Sequence, residues 1–147
     1  MKSTTEKTII AISILGIILA SYAISLHFTP AGSQFCNYGP SLNCDTVNKS
    51  PWASFLGIPV ALGGFIAYLA LFFIVLKRKT ITQALSFTDK DFWMYVYILV
   101  ISMFSFQLYL TFVEIYLIHA YCIVCIGSQI CTLILAFLTG KEILKIK

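Results

Sequence analysis

Cys122-Ile123-Val124-Cys125 opens an apolar run that continues to Leu138. Residues three apart share a side of a helix, so the two thiols can form a disulfide if the first turn is slightly open. A helix N-terminus also offers unsatisfied backbone N–H groups, which favour thiolate over thiol. The thiolate is the attacking species in disulfide exchange. The run that follows has the composition of a lipid- or bundle-facing segment. A dithiol here would therefore sit at a membrane surface, within reach of a lipid-soluble electron acceptor. The same spacing also serves a structural disulfide or half of a zinc site.

A second pair, Cys36 and Cys44, encloses seven residues rich in Gly, Pro and Asn in the long polar loop of the chain. Such a pair is expected to be exposed and to meet a soluble thiol protein. Two pairs of thiols suggest a relay, in which two electrons pass from an aqueous dithiol to a membrane quinone through successive mixed disulfides. Two inert disulfides bracing a small bundle, or one zinc site of Cys36, Cys44, Cys122 and Cys125, use the same residues differently. Cys131 lies inside an apolar run and reads as a small buried hydrophobe.

These residues need elements to carry them. The chain has 147 residues, of which 59% are hydrophobic and only 11% charged, where a soluble domain carries about a quarter charged residues. This is the composition of an integral membrane protein. It predicts one all-α domain over 1–147, a four-helix bundle with spans at about 9–27, 56–76, 92–118 and 122–139. The first span could instead be a cleaved signal peptide, since Ser21-Tyr22-Ala23 has a small-x-small pattern, but its apolar stretch is long for one and an uncleaved helix is the reading preferred here. Residues 28–55 form a polar loop, with a short helix over 45–50 and Trp52 and Phe55 at the membrane interface. Pro59 falls in the first turn of the second span, Gly63-Gly64 offers a close-packing point for a neighbouring helix, and residues 80–91 read as a polar loop with Thr88-Asp89 capping the third span. The third span exceeds what a bilayer needs, so tilt is expected.

Charge then orients the bundle. Nine of the ten Lys and Arg residues fall at the N-terminus, in the 77–90 segment or at the C-terminus, and only Lys49 falls in the cysteine loop. The positive-inside rule puts both termini in the cytoplasm and all four paired cysteines on the extracytoplasmic side. The net charge of +4 is accounted for by this distribution and does not suggest nucleic acid. Two histidines, neither deep in a span, argue against a haem protein, and few polar residues at membrane depth argue against a channel.

The segment Cys36-x7-Cys44-Asp45-x-Val47-x-x-Ser50-Pro51-Trp52, followed by Gly57-Ile58-Pro59-Val60-Ala61-Leu62-Gly63 and then by Cys122-Ile123-Val124-Cys125 at the head of the last span, resembles the vitamin K epoxide reductase family, specifically its bacterial branch. The similarity runs from the first span to the fourth. It implies a four-helix bundle around a quinone of ubiquinone, menaquinone or vitamin K type, with the first loop as a cap over its mouth. It also implies roles: Cys36 takes electrons from the partner, Cys44 passes them to Cys122, Cys125 is the thiolate beside the quinone, and Ser50 is the loop serine near it. The other four-helix quinone-linked thiol oxidase family carries its C-x-x-C in the first outer loop, the reverse of the order here. Many bacterial relatives carry a fused thioredoxin-like domain. This chain stops eight residues after Thr139, so the expected partner is a separate exported thioredoxin-like protein, and a monomer is expected. Ser128-Gln129-Ile130 stands where vertebrate members have Thr-Tyr-Ala, which favours plain quinone reduction over epoxide reduction. Among the remaining polar residues, Glu114 is a candidate to bind the quinone and handle its protons, and Gln107 to hydrogen-bond within the bundle. His119 stands in the hairpin turn beside the active pair, and His27 closes the first span.

Overall fold

The four apolar runs all become helices in the computed structural model, which describes residues 3–30, 32 and 35–146. Helix α1, Thr4–Phe28, starts where the Ser3 side chain accepts the Glu6 N–H, a standard N-cap. Helix α2 is the short Cys44–Asn48, capped by Asn43, and α3 is Val60–Leu76. Helix α4, Arg78–Leu85, is followed by α5, Asp89–Val113, which a π-helical turn prolongs over Glu114–Ile118. Helix α6 is Ile123–Lys145.

Three details depart from the sequence reading. Residues 56–59 do not begin α3. They belong to a hairpin of β1, Ser54–Phe55, and β2, Ile58–Pro59, in the register Ser54↔Pro59 and Phe55↔Ile58. Leu56 and Gly57 both take positive φ at its tip (51° and 82°), as a two-residue hairpin turn of this twist requires, and Pro59 becomes the N-cap of α3. The polar segment 80–91 is not a loop: α4, bent 78° from α3, runs to Leu85, and α5 starts at Asp89. Lys77-Arg78-Lys79 ends the apolar run, but Ile81 still packs against the core, so the chain stays helical while changing direction. Thr88 then starts α5 with a capping box closed by Asp91. The third departure is Gly63-Gly64, where a Cβ would meet open space. The close approach lies instead at Gly16, where a Cβ would run into the ring of Tyr68.

Tyr68 explains that closeness. It is fully buried, and its hydroxyl lies 2.8 Å from Ser128 O and 2.7 Å from Thr132 Oγ1. The carbonyl can only accept, so the phenol donates to it and ties α3 to α6 across α1. Gln107 Nε2 extends the network from α5, 3.1 Å from Ser128 Oγ, which is the hydrogen bonding expected of it. Between membrane helices such contacts and close van der Waals packing replace the hydrophobic drive of water-soluble cores. Helix α1 packs on α3 and α6, and α5 on α6, around Ile9, Leu71, Val75, Trp93, Val100 and Leu135.

The two ends of the bundle differ chemically. At one, Arg78 pairs with Glu6 and with Asp89 (2.8 Å) and stacks over Trp93, while Lys145 reaches Glu142 at 2.8 Å. This end gathers the start of α1 and α5 and the close of α3 and α6. At the other end a second cluster buries Leu26, Val47 and Ala120 with Cys36, Cys44 and Cys122. Three helices are long and apolar enough to cross a membrane, four if α3 and α4 count as one bent span, so the chain is an all-α, multi-pass membrane protein.

Candidate functional site: a thiol cluster beside an apolar cavity

Backbone pairing brings the cysteine loop to the helix mouth. Tyr121 donates its N–H to Ser41 O (2.8 Å) and accepts from Asn43 N–H (3.1 Å), so Leu42 and Tyr121 form a parallel bridge. That stitch lies one residue before Cys122 and two before Cys44. It is reinforced from within the loop, where Asp45 Oδ2 accepts the Gly32 N–H (2.9 Å) and the Asn37 amide (2.7 Å), and Oδ1 meets Lys49 at 3.2 Å. Burial works against ionisation of Asp45, but the bonds from Gly32, Asn37 and Lys49 outweigh it and hold the carboxyl below its ordinary value. His27 Nδ1 lies 2.7 Å from Asn48 O. A carbonyl accepts, so the ring donates, and the end of α1 is tied to the end of α2.

The four cysteines that sequence singled out meet here. Cys36 and Cys44 are joined in a disulfide with Cα atoms 5.6 Å apart, and both are buried, not exposed as expected. Cys122 is a free thiol, and the Sγ atoms of Cys36, Cys44 and Cys122 all lie within 4.8 Å of one another. Cys122 is the N-cap of α6, its sulfur facing the Cys125 N–H at 3.4 Å. This is the placement at the head of a helix that favours a thiolate. Cys131 is a free, buried thiol within α6, outside this cluster.

Cys125, hydrogen-bonded to Cys122 and Glu114, borders a cavity of about 130 Å³ between the cysteine loop and helices α1, α3, α5 and α6. That is close to the roughly 150 Å³ of an apolar protein cavity that accommodates benzene. Its wall is mostly apolar, interrupted by Asn48, Ser50, Trp52, Gln107, Thr111, Glu114 and Ser128. Ser50 donates its hydroxyl to Val47 O at 2.8 Å, which leaves the oxygen as an acceptor. Glu114 is buried, and its Oε2 accepts the Cys122 N–H at 3.3 Å. The π-helical turn that begins at Glu114 shapes this corner, and the left-handed His119 (φ 58°) ends it. Gln107 Oε1 is a buried oxygen with no hydrogen-bond partner among the described residues. An apolar slot of ring size, with a few hydrogen-bonding groups and an unpartnered acceptor, fits a quinone–quinol pair.

Sequence reasoning passed over Asn48. It stands four residues after Cys44 in a short helix, and that spacing alone would have put both on one face. Its side chain is buried between the cysteines and the cavity.

A multi-pass helical protein with three sulfurs clustered beside an apolar pocket is built for thiol chemistry at a membrane. The family model described as "Vitamin K epoxide reductase family" matches residues 7–140, and the chain belongs to that family. It is thereby an oxidoreductase of a quinone-associated family.

Proposed function

We propose that the protein is a thiol:quinone oxidoreductase that reoxidises an exported thioredoxin-like partner and so supports disulfide-bond formation. The observation that carries this reading is the sulfur geometry: the loop disulfide lies within 4.8 Å of Cys122, and Cys125, three residues on, lines the cavity. With the loop pair joined as a disulfide, Cys122 and Cys125 as free thiols would hold the electrons for the acceptor. Oxidation of Cys122 and Cys125 to a disulfide releases two electrons, which with two protons convert a quinone to a quinol. The charge distribution supports extracytoplasmic cysteines and cytoplasmic termini, and the burial of Cys36, Cys44 and Val47 with Cys122 supports a cysteine loop that covers the bundle.

The decisive experiment is a free-thiol count on fully reduced, detergent-purified protein before and after anaerobic addition of quinone. Thiols are expected to disappear in pairs while quinol appears in step. No loss, with zinc in the sample, would convert the cysteines into a structural metal site. The clustered sulfurs make that alternative worth measuring, although two of the three are already committed to each other in a disulfide and offer no thiolate to a metal.

Glu114 is assigned the proton work. It touches Cys122 through the backbone N–H and borders the cavity. Glu114→Gln keeps an acceptor oxygen for that N–H but removes the titrating proton. Quinol formation is expected to fall about a hundredfold, with the loop disulfide still reducible by a small dithiol. A rate within twofold of the parent would remove Glu114 from the mechanism.

A further inference from the structure

We propose that Asn48 is a positioning residue for electron transfer between the two cysteine pairs, its side-chain N–H bonds holding Cys122 Sγ against the loop disulfide and receiving negative charge on that sulfur. The proposal rests on the relay described above. Asn48 Nδ2 lies 2.9 Å from Cys44 O and 3.5 Å from Cys122 Sγ. The carbonyl can only accept, so the amide orientation is fixed and Nδ2 carries both donors. One side chain thus ties the backbone of one relay cysteine to the sulfur of the next. It is 7% exposed, so water competes little for those bonds. The loop end is anchored as well, because the Asn48 carbonyl accepts from His27.

The chemistry shows where this matters. With the loop pair reduced, the Cys44 thiolate attacks Cys122 in the Cys122–Cys125 disulfide. The Cys44–Cys122 bond forms, the old bond breaks, and Cys125 leaves as a thiolate. The Cys36 thiolate then attacks Cys44. The Cys36–Cys44 disulfide re-forms, and the electron pair of the Cys44–Cys122 bond departs on Cys122 Sγ. Two electrons have moved from the loop to the helix mouth. The leaving sulfur of the second step faces the Asn48 amide and the Cys125 N–H, while the Glu114 carboxyl beside the Cys122 backbone opposes negative charge there. A better-stabilised leaving thiolate leaves faster.

The test uses the full chain in detergent with Cys125→Ser and Cys131→Ala and the loop disulfide intact, so that Cys122 is the sole free thiol. Its titration is followed by NMR of ¹³Cβ-labelled cysteine, which reads a buried thiol without partner or quinone. Asn48→Ala is expected to cut the thiolate fraction on the rising part of the curve about tenfold, the worth of one hydrogen bond to a charged group. Asn48→Asp, which keeps the shape and loses the donors, should shift it at least as far. Asn48→Ser, which retains one donor, should recover part of the loss and serves if the alanine variant does not fold. In the chain with all its cysteines, exchange from the reduced loop to the helix mouth should slow about tenfold in step with the titration. A Cys122 titration unmoved by Asn48→Ala and Asn48→Asp overturns the proposal, as does a moved titration with unchanged exchange. A moved titration in a protein that makes no quinol would overturn the relay and leave the Asn48–Cys122 contact standing.

Discussion

Cys125→Ala is expected to abolish quinone reduction, a loss of more than about a thousandfold, while the loop disulfide still forms a mixed disulfide with the thioredoxin-like partner. The reason is position. Cys122 is fully buried behind the loop, its sulfur occupied by Asn48 and the Cys125 N–H, whereas Cys125 borders the cavity. Without Cys125 the helix mouth retains one thiol, which can pair with a loop cysteine but has no second thiol at the cavity, so no electron pair is released toward the acceptor. Cys131 offers no substitute, being buried in α6 outside the cluster. Anaerobic quinol formation with reduced partner as donor gives the measurement, with trapped adducts on a non-reducing gel as the control. Retained turnover would move the chemistry from Cys125 to Cys122.

The long helices were legible because a membrane imposes a simple rule: apolar runs must be helical to satisfy their backbone groups internally. Hence α1, α5 and α6 lie close to where composition puts them, and Thr88 caps α5 as its residue type suggests. What the sequence hid was set by tertiary packing. The 80–91 segment looks like a loop by polarity, yet α4 forms there because Ile81 still finds the core. Gly63-Gly64 has the composition of a helix contact and borders open space, whereas Gly16, unremarked in an apolar run, meets Tyr68. The cysteines were legible by type and spacing. Their convergence depended on one backbone bridge, Leu42 to Tyr121, which no side-chain pattern encodes. The same bridge explains why the loop pair is buried where its Gly, Pro and Asn content suggested exposure.

Cys44→Ala is expected to stall the relay one step earlier, with Cys36 left as a free thiol that offers a reduced partner no disulfide to attack, and partner-driven quinol formation reduced by more than about a thousandfold. Distance alone does not select Cys44 over Cys36 as the donor to Cys122, since all three sulfurs fall within the same 4.8 Å. The selection comes from what each is attached to. Cys44 begins α2, is fully buried, and follows Asn43, whose N–H is bonded to the residue before Cys122. Its sulfur is therefore fixed relative to the helix mouth. Cys36 stands between Phe35, 91% exposed, and the Asn37-Tyr38 pair, with Tyr38 73% exposed, so its neighbours offer an aromatic surface to an incoming protein. Partner attack on Cys36 leaves Cys44 as the departing thiolate, already beside Cys122. With Cys44 removed, a disulfide that the partner can attack arises only if Cys36 attacks Cys122 in the Cys122–Cys125 disulfide and pairs with it directly across the cluster. With a reduced partner that lacks its second thiol, a non-reducing gel should show the adduct form on the parent chain and disappear in Cys44→Ala. An adduct retained in Cys44→Ala with normal quinol formation would mean that Cys36 hands electrons to Cys122 directly, and the relay would be one thiol shorter.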